Sequence, residues 1–421
     1  MDERTRGAWI LAHANKLQVY PGTTGFDEIE TSGKCGKLLS HLAASNEEQL
    51  ISSKKLKIIS ELAGLKRTEV RSIIDILEEN KLIEQGSKGD INILAITNSN
   101  LLLHTNHIFE SFSPDNIQQA AIDLSDRISN APIERKILKE EISDLYKLAE
   151  KQNKVLFDGV ENYGLVDYED LDNGNVIYYN GNIFRGGEID KVDKVLSSLK
   201  QHEQKLVLQF NEYLHDNGCC TEDEAVNILG TALLNKLLSI ALYDKSTVRN
   251  LTNEKNFLTQ PSAFSKFGNP FADDVLNNAK AFIASLFYGM SFSPSNRGRI
   301  VSREMLINTL KKLLRGEEVG PCTAIGQDYY ILEERRVLET IPDEKKPGRF
   351  SMRLLKYDVG ELALNIFQKG DIAEETTVGP YLKSSSANGY ISPEYNRGVA
   401  KKVMLDGGRK RELVETLRTL E

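Results

Sequence analysis

The sequence predicts an α+β protein that is predominantly α-helical and carries small β-hairpins. Apolar residues recur at helical spacing through most of the chain, and short β-rich stretches follow pairs of such segments. The same order of elements returns further along the chain. With 421 residues, the chain is long enough for roughly two to four domains.

Composition indicates a soluble globular protein and excludes several classes. Hydrophobic residues make up 40% and charged residues 27%, and no stretch reaches the ~18 apolar residues of a membrane span. The N-terminal stretch lacks the apolar middle of a secretory signal, and the four cysteines form no CxxC pair. The net charge of −8 argues against a coat of positive charge but allows a local basic face. We therefore expect a cytoplasmic protein, nucleoid-associated if prokaryotic.

The clearest pattern of elements begins near residue 52. Ser52 or Ser53 is expected to cap a first helix. Gly64 is expected to end it, because glycine adopts a positive φ at little cost. Lys66 and Arg67 then open a second helix whose apolar residues recur at helical spacing.

A hairpin is predicted after these two helices, with its turn at 85–90 and a returning strand at 91–97. Two helices joined by a tight turn and followed by a hairpin form a helix-turn-helix with a wing, the name used here for the hairpin and its tip. Residues 37–98 therefore resemble a winged-helix-turn-helix domain, with 38–50 as the preceding helix. The resemblance implies tandem winged-helix domains with small β-hairpin wings, because the pattern recurs.

The first recurrence spans 202–266. Gly218 is expected to end one helix, and Thr221 to cap the next, with Glu224 completing a capping box. The stretch 231–249 is predicted to be a longer helix followed by the wing. Because this helix is apolar almost all round, it is expected in the core or in a dimer interface.

The second recurrence spans 299–369. Ser302 is expected to cap its first helix, and a second helix is predicted within 324–341. A Pro347–Gly348 turn then lies between two extended stretches.

A weaker candidate spans 134–184, with a hairpin turn at Asn173–Gly174. The irregular spacing of the units excludes a solenoid of fixed short period and favours tandem, diverged domains. The predicted domains are an N-terminal winged helix, a helical and β-hairpin domain that could be a degenerate winged helix, two winged-helix-like domains, and a linker with a basic C-terminal helix, at 1–110, 111–200, 201–295, 296–370 and 371–421.

The resemblance implies a DNA-contacting face on the first winged helix. In DNA-binding members the second helix of the pair enters the major groove and the wing touches the backbone. Carried over by position, the candidate contacts are Lys66, Arg67, Thr68, Glu69, Arg71 and Ser72, with Ser87 and Lys88 at the wing tip. Basic residues at a helix start also favour phosphate binding. The alternative is a protein-docking module whose charges are merely solvated.

The last recurrence and the C-terminal tail are the other candidate DNA contacts. The wing cations are Lys345, Lys346 and Arg349, and the tail cations are Lys401, Lys402, Arg409, Lys410 and Arg411. Further cations lie before or along the helices of that recurrence, at Arg297, Arg299, Arg303, Lys311, Lys312, Arg315, Arg335 and Arg336. Such residues neutralise phosphates when they contact a duplex, and are otherwise an ordinary solvated surface.

No catalytic, cofactor or metal site is predicted. His104 and His107 could share one helical face, but no third ligand has matching spacing. Adjacent Cys219 and Cys220 are expected to serve packing. The chain contains no phosphate loop, nucleophile elbow, HExxH or kinase motif.

These patterns favour a protein that binds double-stranded DNA through tandem winged helices. It would be a transcriptional regulator or a DNA-binding subunit of a larger complex in defence or chromosome maintenance. A homo-oligomer or a partner protein is a further expectation, and no membrane association is expected. The alternatives are a non-catalytic protein–protein adaptor and a nuclease or nucleic-acid-modifying enzyme with an unrecognised site.

Overall fold

The computed structural model describes residues 1–18, 25–44, 50–86, 89–94, 100–171, 174–249, 254–268, 273–290 and 298–373. This part of the chain is mostly helical, with four small three-stranded antiparallel sheets. The predicted α+β class is confirmed, as repeated helical units with β-wings. The described chain divides into two compact units: Met1–Gly186 with Ala373, and Gly187–Ile372.

No helix within the described ranges is both long and apolar enough to cross a membrane.

The first unit opens with the elements of the first repeat and two flanking helices. They are α1 (Glu3–Leu17), α2 (Asp27–Ala44), β1 (Leu50–Ile51), α3 (Ser53–Leu62), α4 (Arg67–Glu79), β2 (Ile83–Gln85), β3 (Ile91–Ile93) and α5 (Leu101–Ser111). The central strand β3 pairs with both β1 and β2. The expected helix at 38–50 was wrong in its bounds, because α2 starts at Asp27 and Leu50 already belongs to a strand.

Helices α1, α2 and α5 pack closely through glycines. A Cβ at Gly7 would lie 2.0 Å from the carbonyl oxygen of Leu102, and one at Gly33 would lie 2.1 Å from the Cβ of Ala14. Neither distance is sterically allowed, so these positions require glycine. The close approach places α2 where it supports α3 and α4.

The second repeat has the same element order as the first, although its sequence pattern is weaker. It comprises α6 (Asn116–Asn130), β4 (Ile133–Glu134), α7 (Arg135–Tyr146), α8 (Glu150–Asn162), β5 (Asp167–Asp170) and β6 (Val176–Tyr179). Strand β6 is central in the sheet. The predicted hairpin is therefore present; Asn173 of its predicted turn lies outside the described residues.

A short 3₁₀ turn (Gly186–Glu188) spans the boundary between the two units, and the second unit continues into the third repeat. The elements are α9 (Ile189–Ser197), α10 (Gln201–Asn217), β7 (Cys220–Thr221), α11 (Glu222–Leu229), α12 (Thr231–Leu238), β8 (Asp244–Arg249) and β9 (Glu254–Thr259). The predicted ends are confirmed: Gly218 has φ +73°, and Thr221 and Glu224 cap each other. The predicted long helix at 231–249 is wrong, because α12 ends at Leu238 and 244–249 is a strand.

The fourth repeat follows two connecting helices and ends in another helix. The elements are α13 (Ser262–Ser265), α14 (Asp273–Met290), α15 (Arg303–Leu314), β10 (Val319–Cys322), α16 (Ile325–Asp328), α17 (Tyr330–Glu334), β11 (Leu338–Pro342), β12 (Phe350–Leu354) and α18 (Tyr357–Lys369). Ser302 caps α15, as predicted. The predicted second helix is split at Tyr329. The stretch after β12 is helical, not extended as expected.

All four repeats end their second helix in the same way. Two or three residues past the last helical residue, the chain takes a positive φ of 57°, 62°, 53° and 53° at Lys81, Gly164, Ala241 and Arg336. The next residue is buried, and its N–H donates to the carbonyl five residues earlier, in the pairs Leu82–Leu77, Leu165–Val160, Leu242–Leu237 and Val337–Leu332. This is the Schellman motif, in which a residue of left-handed conformation stops the helix and the apolar residue that follows it packs into the core. It explains why each of these helices ends within a few residues of the strand that follows.

Candidate nucleic-acid interface

The first repeat places α4 by two local motifs. Gly64, with φ +74°, ends α3, and the N–H of buried Leu65 donates to the carbonyl of Ser60 at 3.0 Å. The backbone N–H of Lys66 then donates to a carboxylate oxygen of Glu69 at 3.0 Å and so caps α4. The link between the two helices is therefore short and ordered.

The N-terminal half of α4 presents a cationic and hydroxyl-bearing face. The exposed predicted residues on this half are Lys66, Arg67, Thr68, Arg71 and Ser72. Arg67 lies 3.7 Å from Glu61, and both side chains are mostly solvent-exposed. Across the described ranges Lys66 and Arg71 form no ion pair. The next turns expose Asp75, Glu78 and Glu79 instead, so positive charge is confined to the helix start.

Glu69 differs from the other predicted contacts of α4, because its carboxylate serves an internal network. The ammonium group of Lys34 lies 2.8 Å from Glu69 and 2.7 Å from Glu30. Burial opposes ionisation, but the hydrogen bonds from Lys34 and from the Lys66 N–H hold the pKa of Glu69 below its usual value. Burial likewise opposes the charge on Lys34, and its two carboxylate partners raise its pKa overall. Glu69 therefore anchors α4 to α2.

The predicted wing-tip residues of the first repeat, Ser87 and Lys88, lie outside the described residues. The base of that turn is closed by a hydrogen bond of 2.8 Å from the Gly86 N–H to the Asp90 carbonyl.

The wing of the fourth repeat is ordered by a single carboxylate. Asp343 accepts hydrogen bonds from the backbone N–H groups of Lys345 and Lys346 at 2.9 and 2.8 Å. Its own N–H donates to the Arg349 carbonyl at 2.9 Å, and Gly348 takes φ +81°. Lys345, Lys346 and Arg349 are exposed, and their side chains have no ion-pair partner among the described residues. The tip thus displays three cations on a defined turn.

Other predicted cations of the fourth repeat serve the fold. Arg299 forms a bidentate pair with buried Asp328, at 2.8 and 3.3 Å. Arg303 donates to the backbone carbonyls of Asp216 and Phe367, at the ends of α10 and α18. Because these arginines are used internally, they do not belong to the exposed face.

The remaining cations of that repeat are distributed differently. Arg315 pairs with Glu317 at 2.6 Å, and Arg335 contacts Asn278 at 3.4 Å. Exposed cations also remain on α15 and after α17, at Lys311, Lys312 and Arg336. The predicted cations outside the described residues are Arg297, Lys401, Lys402, Arg409, Lys410 and Arg411.

In the third repeat, the lysines of β8 and β9 are paired. Lys245 lies 2.6 Å from Glu222, and Lys255 lies 2.6 Å from Asp223. Helix α12 is amphipathic, with buried leucines on one side and exposed Asn235 on the other. The expectation of a helix apolar all round was therefore wrong, because α12 covers only Thr231–Leu238 and the end of the predicted segment, 244–249, is a strand.

Sequence reasoning missed a group of cations in the second repeat. Its helix pair exposes Lys136, Lys139, Lys147, Lys151 and Lys154. None of the five has an ion-pair partner in the part of the chain that the structure describes. The sequence predicted this repeat only as a weaker candidate, and the shared ending of the second helices would have strengthened it, because apolar Val160 and Leu165 match Leu77 and Leu82 of the first repeat.

The candidate metal ligands and thiols do not form a site within the described ranges. The rings of His104 and His107 lie edge to face at 6.4 Å, and His107 lies 3.5 Å from Glu3. No group of three or more metal-ligating side chains occurs among the described residues. Cys219 and Cys220 are buried, and burial raises the pKa of both thiols.

Comparison with protein-family models, with curated proteins and with solved structures finds no match for this chain.

Proposed function

We propose that this protein binds double-stranded DNA through four tandem winged-helix domains. The order helix, strand, helix, helix, hairpin supports this proposal, because it is the order of a winged helix and occurs four times in the described chain. The N-terminal half of α4 would enter the major groove of the DNA, and the wing of the fourth repeat would lie on the sugar–phosphate backbone of the duplex.

The distribution of unpaired cations is the observation that carries this proposal. On α4, Arg71 and Lys66 are exposed without an ion pair in the described ranges, while Glu69 is held by Lys34. In the third repeat the corresponding helix α12 carries a single, half-buried lysine, Lys236, and nearby Lys245 and Lys255 are paired. Exposed cations without a partner in the fold gain most from phosphate, since each contact releases a condensed counterion. The helix N-terminus adds its own attraction for anions.

Within this surface the residues would divide their roles. Arg67 and Arg71 would contact base edges, because the guanidinium fork matches the two acceptors of guanine. Lys66, Thr68 and Ser72 would hold phosphates and fix the position of the helix on the duplex. The acidic balance of the whole chain, −8, favours a subunit of a larger DNA-handling complex over a stand-alone repressor.

Binding to a random duplex of about 30 base pairs at ~50 and ~200 mM salt tests this proposal. The test variant is Arg67→Gln/Arg71→Gln. The matched control is Lys245→Gln/Lys255→Gln, which removes the same charge from ion-paired lysines. Steep salt dependence, with affinity lost in the test variant and kept in the control, supports α4 as the contact. Absence of wild-type binding at low salt overturns the proposal.

Protein docking is a second candidate, favoured by two exposed apolar residues on α3. Ile58 and Leu62 lie one turn apart and are 53% and 57% exposed. The change Ile58→Ser/Leu62→Ser leaves the core untouched. If docking is the function, the double variant loses self-association in sedimentation velocity, and the wild type shows no DNA binding. A monomeric wild type that binds DNA contradicts this candidate.

A further inference from the structure

The helix pairs of the first and second repeats match residue by residue. Gly64 and Lys147 both take a positive φ after the first helix of the pair, 74° and 51°. The buried leucine that follows each donates its N–H to a carbonyl five residues earlier, at 3.0 Å in both repeats. The turns between α3 and α4 and between α7 and α8 are therefore the same structure.

The second helices of these pairs also begin and end alike. Glu69 caps α4 by accepting from the Lys66 N–H at 3.0 Å, and Gln152 caps α8 by accepting from the Ala149 N–H at 2.9 Å. Both helices end in the Schellman motif described above. All matched positions of the two repeats are therefore separated by the same number of residues in the sequence. With this separation, Lys151 of the second repeat corresponds to Thr68 of the first, and Lys154 corresponds to Arg71.

Lys151 and Lys154 are available for an external anion. Both are exposed, and neither forms an ion pair with a described residue. On the other helix of the pair, Glu141 is engaged by Arg127 at 3.0 Å. Glu150 takes the place of Arg67, so this face is less positive than that of α4.

The wing of the second repeat is unsuited to phosphate. Strand β5 carries Asp167, Glu169 and Asp170. Any contact with a polyanion must therefore come from the helix pair. The further lysines of that pair are Lys136, Lys139 and Lys147.

We propose that α8 forms a second DNA-contacting helix surface in addition to that of α4, here called the second surface, in which Lys151 and Lys154 neutralise backbone phosphates. The DNA class of the ligand rests on the function proposed above. Lysine ammonium groups lack the planar fork that reads guanine, so this surface adds affinity without sequence preference. The first repeat supplies the base contacts together with phosphate contacts, and the second repeat supplies phosphate contacts alone.

The salt dependence of binding by the full-length protein tests this surface. Removing two phosphate contacts is expected to reduce the slope of log K against log salt by about 1.8, and to weaken binding about tenfold or more near 0.1 M salt. The test variant is Lys151→Gln/Lys154→Gln, and Lys151→Arg/Lys154→Arg keeps the charge. The matched control, which is expected to leave DNA binding unchanged, is Lys245→Gln/Lys255→Gln. Thermal unfolding of each variant establishes that it is folded.

The outcomes separate this inference from the function on which it rests. A smaller slope in the glutamine variant, with the arginine variant and the control unchanged, supports the second surface. If the wild type binds, Arg67→Gln/Arg71→Gln weakens binding and Lys151→Gln/Lys154→Gln does not, the second surface is overturned and the proposed function stands. If the wild type fails to bind DNA, both are overturned.

Discussion

The ammonium group of Lys34 on α2 lies 2.8 Å from the carboxylate of Glu69 on α4. The same carboxylate accepts a hydrogen bond from the backbone N–H of Lys66. One side chain therefore both caps α4 and ties it to α2. This contact sets the position of the helix whose exposed face carries Arg67 and Arg71.

Replacing Lys34 with methionine tests this anchoring role. The change leaves Glu30 and Glu69 close together without their shared cation, so the free energy of unfolding is expected to fall by about 1–2 kcal/mol at pH 7. The pKa of Glu69 is held below 4.5 in the folded protein, so its contribution is present above that pH and is lost as the pH falls through the folded pKa. The deficit of Lys34→Met should therefore shrink in acid. Urea unfolding at pH 7 and pH 4 measures it, and an equal deficit at both values contradicts the ion-pair account.

His13 is expected to make the fold sensitive to mild acid. It is fully buried against Trp9, and neither ring nitrogen has a hydrogen-bond partner among the described residues. Burial, with a smaller effect of Lys16, lowers its pKa from 6.5 to about 3. Between these values the unfolded chain binds a proton that the folded protein does not, so stability falls as the pH falls below 6.5. This group alone should cost about 2 kcal/mol on going from pH 7.5 to pH 5.

The variant His13→Phe keeps an aromatic ring on Trp9 and removes the titration. Its free energy of unfolding should change less with pH than that of the wild type over this range. Denaturant unfolding at pH 7.5 and pH 5 compares the two proteins. Parallel losses of stability in both would show that His13 carries no pH dependence.

Ala241 and Gly164 occupy the same left-handed position at the end of α12 and α8, with φ 53° and 62°. An alanine Cβ is strained in this conformation, and glycine is not. Gly164→Ala should therefore lower the free energy of unfolding by about 1 kcal/mol, and Ala241→Gly should raise it by about 0.5 kcal/mol. Thermal unfolding of both variants measures the opposite signs. Changes of the same sign would contradict the equivalence of the two helix ends.

Asp343 is expected to order the wing of the fourth repeat for DNA contact. Asp343→Asn keeps an acceptor for the N–H groups of Lys345 and Lys346, whereas Asp343→Ala removes it. Both changes remove one negative charge, so the difference between them isolates the order of the tip. DNA affinity of the alanine variant should be several-fold weaker than that of the asparagine variant. Equal affinities would mean that the tip conformation is irrelevant to binding.

Local chemistry made much of the fold predictable. Gly64 and Gly218 stop helices because they adopt positive φ, and Thr221 with Glu224 forms the predicted capping box. The exposed cations of α4 were also predictable, since apolar residues at helical spacing define the opposite, buried face. These features depend on a few neighbouring residues and need no tertiary information.

The failures have a different cause. The segment 231–249 is rich in apolar residues as far as Tyr243, yet the chain leaves the helix after Leu238 because Leu242 is buried in the core and Ala241 takes a left-handed φ. Propensity alone does not reveal such a stop when the residue is not glycine. The left-handed residues Lys81 and Arg336, which end the second helices of the first and fourth repeats, are not predictable from propensity for the same reason.

The sequence by itself determined the class of the fold, the helix caps and the charge of each surface stretch, because these follow from residues close together in the chain. Only the tertiary structure decided which charges are available. Lys34 forms an ion pair with Glu69, and Asp328 forms one with Arg299. At the start of α11, Glu222 pairs with Lys245 and Asp223 pairs with Lys255. These partners lie far apart in sequence, and an ion pair depends on the distance between two groups in the fold.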